Sequence, residues 1–81
     1  MDHQKVMEKL QTIFVELFDD ESIVITDTTT ANDIEAWDSL AHMVLISTAE
    51  EAFGIHFSLG EINNFANVGA MADSIVKHLG A

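Results

Sequence analysis

The residues best suited to chemistry are a serine and the acids that precede it. Ser39 directly follows Asp38, and Asp33 and Glu35 lie a few residues upstream. Asp is a strong helix N-cap, because its carboxylate accepts hydrogen bonds from the free amides of the first turn. Ser39 is therefore predicted to be the first residue of a helix, with an exposed hydroxyl. A phosphate ester on that hydroxyl would be stabilised by free backbone amides and by the positive end of the helix dipole.

A nucleophile and base pair is the alternative use of this serine, since His42 lies three residues further along the same predicted helix. Hydrolases of this kind need an oxyanion site, and many carry the serine in a Gly-x-Ser-x-Gly turn. The sequence has no such turn. His42 stands four residues after the predicted cap, where its ring can pack on Trp37, the residue before the cap. We predict packing roles for both rings, or a partner contact for His42, and no catalytic residue.

The histidines and acids show no pattern that is typical of a metal site. The four histidines, at positions 3, 42, 56 and 78, lack the short paired spacing of zinc ligands, and the chain has no cysteine. The acidic run at 19–21 departs from the calcium-loop pattern at Ile23 and at the missing central glycine. We expect no structural metal.

Helices are predicted to position Ser39, because apolar residues recur at helical spacing in several separate blocks. Asp2 is predicted to cap the first helix. The second helix is predicted to follow Asp38 and to end at Gly54, which suits a left-handed conformation.

Two shorter helices are predicted after this point. Ser58 and Glu61 have the spacing of a capping box and predict a short third helix that runs to about Phe65. Asn67 is predicted to cap a fourth helix that stops at Gly80. The predicted fold is all-α: a small bundle of three longer helices and a short third one, with a long loop between the first two.

The connection at residues 19–38 is long for a compact domain, and such loops are uncommon unless they have a function or pack on the body. The residues predicted to pack are Ile23, Val24, Ile25 and Ile34. In the second helix, the residues predicted to face the core are Met43, Ile46, Ala49 and Phe53.

Length and charge narrow the class of protein. The 81 residues suit one domain spanning 1–81. Fourteen acids against three lysines give a formal net charge of −11, so we expect neither nucleic-acid nor membrane-surface binding. Either basic proteins are the natural partners, or the surplus of acids serves only to keep a small domain soluble. No apolar run approaches the roughly 20 residues of a membrane span. The first residues also lack the pattern of a secretory signal, so the cytoplasm is the expected compartment.

The tripeptide Asp38, Ser39 and Leu40 resembles the site of the acyl carrier protein family, in which Asp-Ser-Leu opens the second helix of a four-helix bundle. The serine there carries 4′-phosphopantetheine. The resemblance covers the whole chain, including the long loop and the segment Glu-Glu-Ala-Phe-Gly-Ile at 50–55. It implies that a phosphopantetheinyl transferase attaches the arm from coenzyme A to Ser39. It also implies a monomeric carrier, no enzyme itself, on which acyl-loading and acyl-processing enzymes act.

The face beside Ser39 is where such enzymes are expected to dock. Leu40 and Val44 are predicted to form an exposed apolar step, and the acids expected to meet basic docking patches are Glu35, Glu50 and Glu51. Many members of the family have an acid where Val44 stands, and this departure indicates a dedicated pathway, whether for fatty acids, polyketides or other products. The alternative function is an acidic helical interaction module in which Asp-Ser-Leu is only a helix start.

Overall fold

A computed structural model describes residues 2–80 of the chain; Met1 and Ala81, the ends of the predicted domain, lie outside the described residues. The described residues contain no strand, and a 3₁₀ turn at Ala31–Asp33 interrupts the long loop. None of the described helices has the length and apolar character that crossing a membrane requires. The predicted all-α fold with four helices is confirmed; the helices are α1 (His3–Phe18), α2 (Ser39–Phe53), α3 (Leu59–Asn63) and α4 (Val68–His78).

The predicted helix starts are confirmed by side-chain caps. Asp2, Asp38 and Asn67 each accept a hydrogen bond from the amide three residues further on, at 2.9, 2.8 and 2.8 Å. Each cap satisfies an amide that has no partner within its helix. Gly54 ends α2 with φ at 67°, as predicted for a residue that must be left-handed.

One apolar core joins the helices and the long loop. Its centre consists of side chains that are fully shielded from water, and these come from α1, α2 and α4. The largest of them are Phe14, Leu10, Leu45, Met71, Ile75, Val6 and Val68. Burial of these side chains is the main favourable term in the stability of so small a domain.

Two residues predicted to pack inward are exposed. Val24 is 77% exposed, while Ile23 and Ile25 are buried, because the segment is extended and successive side chains point to opposite sides. Met43 is 53% exposed, because it lies about 100° around α2 from the centre of the buried face. Leu45, which was not among the residues predicted to face the core, is fully buried on that face.

The third helix is shorter than predicted. The third was predicted to reach Phe65, but α3 ends at Asn63. Asn side chains favour local hydrogen bonds over helix, and the chain must become extended again before it reaches the cap at Asn67. The fourth was predicted to stop at Gly80; α4 ends at His78 with Leu79 as its C-cap, and Gly80 follows in the left-handed conformation (φ 75°) that stops the helix.

The long loop is held to the helices by specific hydrogen bonds. The side-chain amide of Gln11 on α1 donates a hydrogen bond to the backbone carbonyl of Ile23 (2.6 Å) and accepts one from the backbone N–H of Ile25 (2.8 Å). At the start of α4, the backbone amide of Gly69 donates to the Asp27 carbonyl and that of Val68 donates to the Thr29 carbonyl, each at 2.9 Å. The backbone of the loop is therefore fixed at two points on the bundle.

Gly69→Ala is expected to destabilise the protein by about 1–3 kcal/mol, the usual cost of an added methyl group in a filled space. A Cβ at Gly69 would lie 2.7 Å from the Asp27 carbonyl oxygen, which is backbone and cannot rotate away. Gly60→Ala is the matched control, because nothing lies within 4 Å of its Cβ. Alanine there should raise stability by up to about 1 kcal/mol through helix propensity. Urea unfolding of both variants measures the difference, and equal stabilities would contradict the close contact.

A histidine on α1 makes a third connection to the loop. His3 Nε2 lies 2.7 Å from an Asp27 carboxylate oxygen, and His3 Nδ1 lies 3.0 Å from Asp73 on α4. The hydrogen bond to Asp27 is the main reason that the pKa of His3 is raised, with Asp73 adding to it. The charged ring therefore joins α1, the loop and α4 below neutral pH.

Candidate functional site

Ser39 is placed at the first turn of α2, as the sequence predicted. The side chain of Ser39 is exposed. The carboxylate of Asp38, the residue before it, accepts a hydrogen bond from the backbone amide of Ala41. Since Asp38 is turned toward its own helix, it caps α2 without covering the serine. The Ser39 hydroxyl is open to solvent.

A groove lies beside this hydroxyl, and we call it the Ser39 groove. On one wall it is lined by Ser39, His42 and Met43 of α2. Ile62 of α3 and Phe65, which follows that helix, form part of the other wall. The lining is mixed, because Thr30 and Asn32 of the loop and Asn63 of α3 add polar groups to these apolar side chains. The Ser39 hydroxyl therefore lies beside an open groove with both polar and apolar walls.

Trp37 and His42 form a packed pair at the end of this groove. The Trp37 Nε1–H donates to His42 Nδ1 at 3.1 Å, and the rings stack with centroids 5.9 Å apart. Trp37 also meets Phe14 of α1 edge-on at 5.2 Å. The predicted packing of His42 on Trp37 is confirmed, and within residues 2–80 no hydrogen bond joins His42 to Ser39.

The predicted apolar step on α2 is present and larger than expected. Leu40 is 76% exposed and Val44 is 45% exposed, and the exposed Met43 lies next to them. We call these three residues the α2 face. Met43 was missed because its apolar side chain was assigned to the core; its offset from Ile46 and Ala49 around the helix was the signal that places it outside.

The three acids that were predicted to contact partners differ in solvent exposure and in their hydrogen bonds. Glu35 and Glu51 are exposed. Glu50 Oε2 accepts a hydrogen bond from the amide of Phe57 at 2.9 Å, and its side chain is largely buried. Glu50 therefore fixes the connection between α2 and α3, and its charge is held in one place.

Glu61 connects α3 to α4 and was recognised from the sequence only as a cap. Its carboxylate accepts from the amide of Ser58 at 2.9 Å, as the capping box predicted, and also bonds the hydroxyl of Ser74. His78 Nε2 lies 2.8 Å from Glu61 Oε2. The bond from the Ser58 amide, followed by that from Ser74, lowers the pKa of Glu61 to about 2. This wall of the groove is thereby tied to α4.

Glu61→Gln is expected to flatten the dependence of stability on pH in acid. Glu61 has a pKa of about 2 in the folded protein against 4.5 for an ordinary glutamate. Its contribution is therefore complete above pH 4.5 and is lost as the pH falls from 4.5 toward 2. The glutamine does not titrate, so urea unfolding should show a shallower loss of stability across that window. Parallel slopes for the two proteins would contradict a charged Glu61 that holds α3.

Neither the metal site nor the serine and histidine pair that the sequence raised is formed by the described residues. Among residues 2–80, no three histidines or acids lie close enough together to hold a metal ion. In the acidic run at 19–21, Asp20 is bonded to Ser22 through its carboxylate. Ser74, Glu61 and His78 do meet, but the carboxylate stands between the serine and the histidine, so the histidine cannot take the proton of the hydroxyl.

Comparison with known proteins gives matches over most of the chain. The family model described as "Phosphopantetheine attachment site" matches residues 8–75. This span contains α2 and the Ser39 groove. The exposed hydroxyl and the open channel beside it fit an attached, elongated group of this kind.

Individual relatives agree with the family model. An acyl carrier protein of Rubrobacter xylanophilus is 35% identical over 96% of both chains, and one of Guillardia theta is 37% identical over the full length of both. A solution structure of a holo acyl carrier protein from Geobacter metallireducens superposes with a TM-score of 0.88 at 49% identity, covering 93% of this chain and 86% of that one. This protein therefore belongs to the acyl carrier protein family, and its prosthetic group is 4′-phosphopantetheine.

Proposed function

We propose that the hydroxyl of Ser39 is the attachment point of 4′-phosphopantetheine. The observation that carries this proposal is the exposure of Ser39 at the first turn of α2, beside an open groove and within the matched region. The oxygen of Ser39 displaces adenosine 3′,5′-bisphosphate from the pantetheine-bearing phosphorus of coenzyme A, and Ser39 supplies nothing else. The base that takes its proton belongs to the phosphopantetheinyl transferase, so no activating group is needed in this chain.

The start of α2 suits the charge that esterification brings. The first amides of a helix have no partner within it, and Asp38 takes only the amide of Ala41. A phosphodiester at Ser39 would stand at the positive end of the helix dipole, where the remaining amides would stabilise its charge. The walls of the Ser39 groove at Met43, Ile62 and Phe65 offer apolar contacts to the arm that follows. The arm supplies the thiol that carries the acyl group as a thioester.

We further propose that partner enzymes, which load and process the cargo, bind the α2 face. Leu40 and Val44 offer apolar area for burial, and the exposed acids Glu35 and Glu51 attract basic docking patches. In such an interface the charges speed the encounter and the buried apolar groups hold the complex. The chain is proposed to act as a monomeric single domain, recognised by its partners and without catalysis of its own.

The proposed pathway is a dedicated branch of fatty-acid, polyketide or other specialised biosynthesis. Val44 is an exposed apolar residue of the α2 face. A partner whose basic residue pairs with an acid at this position would find no carboxylate to pair with. Enzymes that select this carrier should therefore present an apolar contact at that point. The thiol of the arm must stay reduced to be loaded with an acyl group. We therefore propose that the protein is localised in a reducing compartment such as the cytoplasm.

The experiment is to incubate the protein with coenzyme A and a promiscuous phosphopantetheinyl transferase. Intact mass should increase by one phosphopantetheine, and fragmentation should locate it on the peptide that contains Ser39. A chain that stays unmodified with several transferases would favour the other candidate, an acidic interaction module.

A further inference from the structure

The long loop forms a second groove, which shares no lining residue with the Ser39 groove. We call it the loop groove. Its apolar lining includes Phe18, Val24 and Ile34. Phe18 and Ile34 are half-buried and rest on the core, whereas Val24 has most of its surface in water. Apolar area left in water at a concave surface is available for burial by another molecule.

Acids line the same groove and are held in place by the loop. Asp20 accepts hydrogen bonds from the amide and the hydroxyl of Ser22, at 2.9 and 2.6 Å, and these bonds lower its pKa. Asp33 accepts from the amide of Thr30 at 2.9 Å. Glu35 lines the groove as well. Since the chain has no lysine or arginine between positions 10 and 76, the charge here is negative and selects for cations.

The loop groove is formed before any partner arrives. Gln11 holds the backbone at Ile23 and Ile25, on either side of Val24. The buried hydroxyl of Thr29 accepts from the amide of Thr26 at 2.7 Å, which closes the turn after the valine. A surface that is already ordered loses little conformational entropy when it binds.

We propose that the loop groove is a docking site for a segment of a partner protein that presents an apolar side chain between lysines or arginines. The apolar side chain packs on Val24, and the flanking cations pair with Asp20 and Asp33. Glu35 belongs both to this groove and to the acids beside Ser39, so one partner can contact the two regions together. The inference adds a second contact to the proposed carrier function but requires no arm on Ser39.

The test uses the unmodified full chain and a short probe peptide, acetyl-Lys-Lys-Leu-Lys-Lys-amide. Titration followed by amide chemical shifts should give saturable changes at Ser22, Val24 and Thr26. Val24→Ser should weaken the binding of the peptide by about fivefold, because the apolar contact area of the valine is lost. Replacing the leucine of the peptide by serine should weaken binding to the wild-type chain by a similar factor.

Leu59→Ser is the matched control, because Leu59 is nearly as exposed as Val24 but lies on α3, outside the α2 face and outside the lining of both grooves. It should leave the affinity for the peptide unchanged. Shifts confined to α2, or binding that is indifferent to both Val24 and the leucine of the peptide, would overturn the proposal. Ser39→Ala should bind the peptide like the wild type, so failure of arm attachment and failure of the loop groove are separate results.

Discussion

Ser39→Ala is expected to abolish attachment of 4′-phosphopantetheine completely. Incubated with coenzyme A and a transferase that modifies the wild type, the variant should keep its unmodified mass. The fold should not change, because Ser39 is exposed and alanine is a good helix former. The Asp38 cap, bonded to the amide of Ala41, is also retained. A loss of modification with an unchanged melting temperature therefore reports on the missing hydroxyl alone.

Ser47→Ala is the matched control for this prediction. Ser47 is also an exposed serine of α2, but it lies two turns further along the helix, away from the free amides of the first turn. This variant should gain the arm at the wild-type rate. Modification of Ser39→Ala, or loss of modification in Ser47→Ala, would show that the attachment point lies elsewhere.

The helix starts could be predicted from the sequence because each is decided by local chemistry. A cap such as Asp38 or Asn67 needs only a short polar side chain followed by a helical segment, and the structure confirms both. Ser39 was assigned to the first turn by the same argument. The placement of the most important residue of the candidate site thus followed from one neighbour.

The rest depends on contacts between residues far apart in the chain. The side-chain amide of Gln11 forms hydrogen bonds with the loop backbone at Ile23 and Ile25, which are 12 and 14 residues away in the chain. No periodic pattern in the sequence indicates such a pairing. It decides that Ile23 and Ile25 turn inward and Val24 outward. Similarly, the sequence marks Glu50 as an acid near the site, but only the fold shows that the amide of Phe57 engages it.

Phe14→Ala is expected to have the largest effect on stability. Phe14 is fully buried at the centre of the core and meets Trp37 edge-on, and the stability lost on such a truncation is about 3–5 kcal/mol. Small domains are stable by about 0.05–0.15 kcal/mol per residue, which is about 4–12 kcal/mol for this length. The variant should therefore unfold at a much lower urea concentration, or be unfolded without urea.

Two milder variants keep this prediction testable if Phe14→Ala does not fold. Phe18→Ala removes a half-buried ring at the end of α1, and should cost clearly less than the loss at Phe14. Phe14→Leu keeps most of the volume, so about 1.5 kcal/mol or less should be lost. It still removes the ring that supports Trp37, which is the only tryptophan and stacks on His42 beside the Ser39 groove. A shift of Trp37 fluorescence to longer wavelength in folded Phe14→Leu would show that this core ring positions the groove, whereas an unchanged spectrum would contradict it.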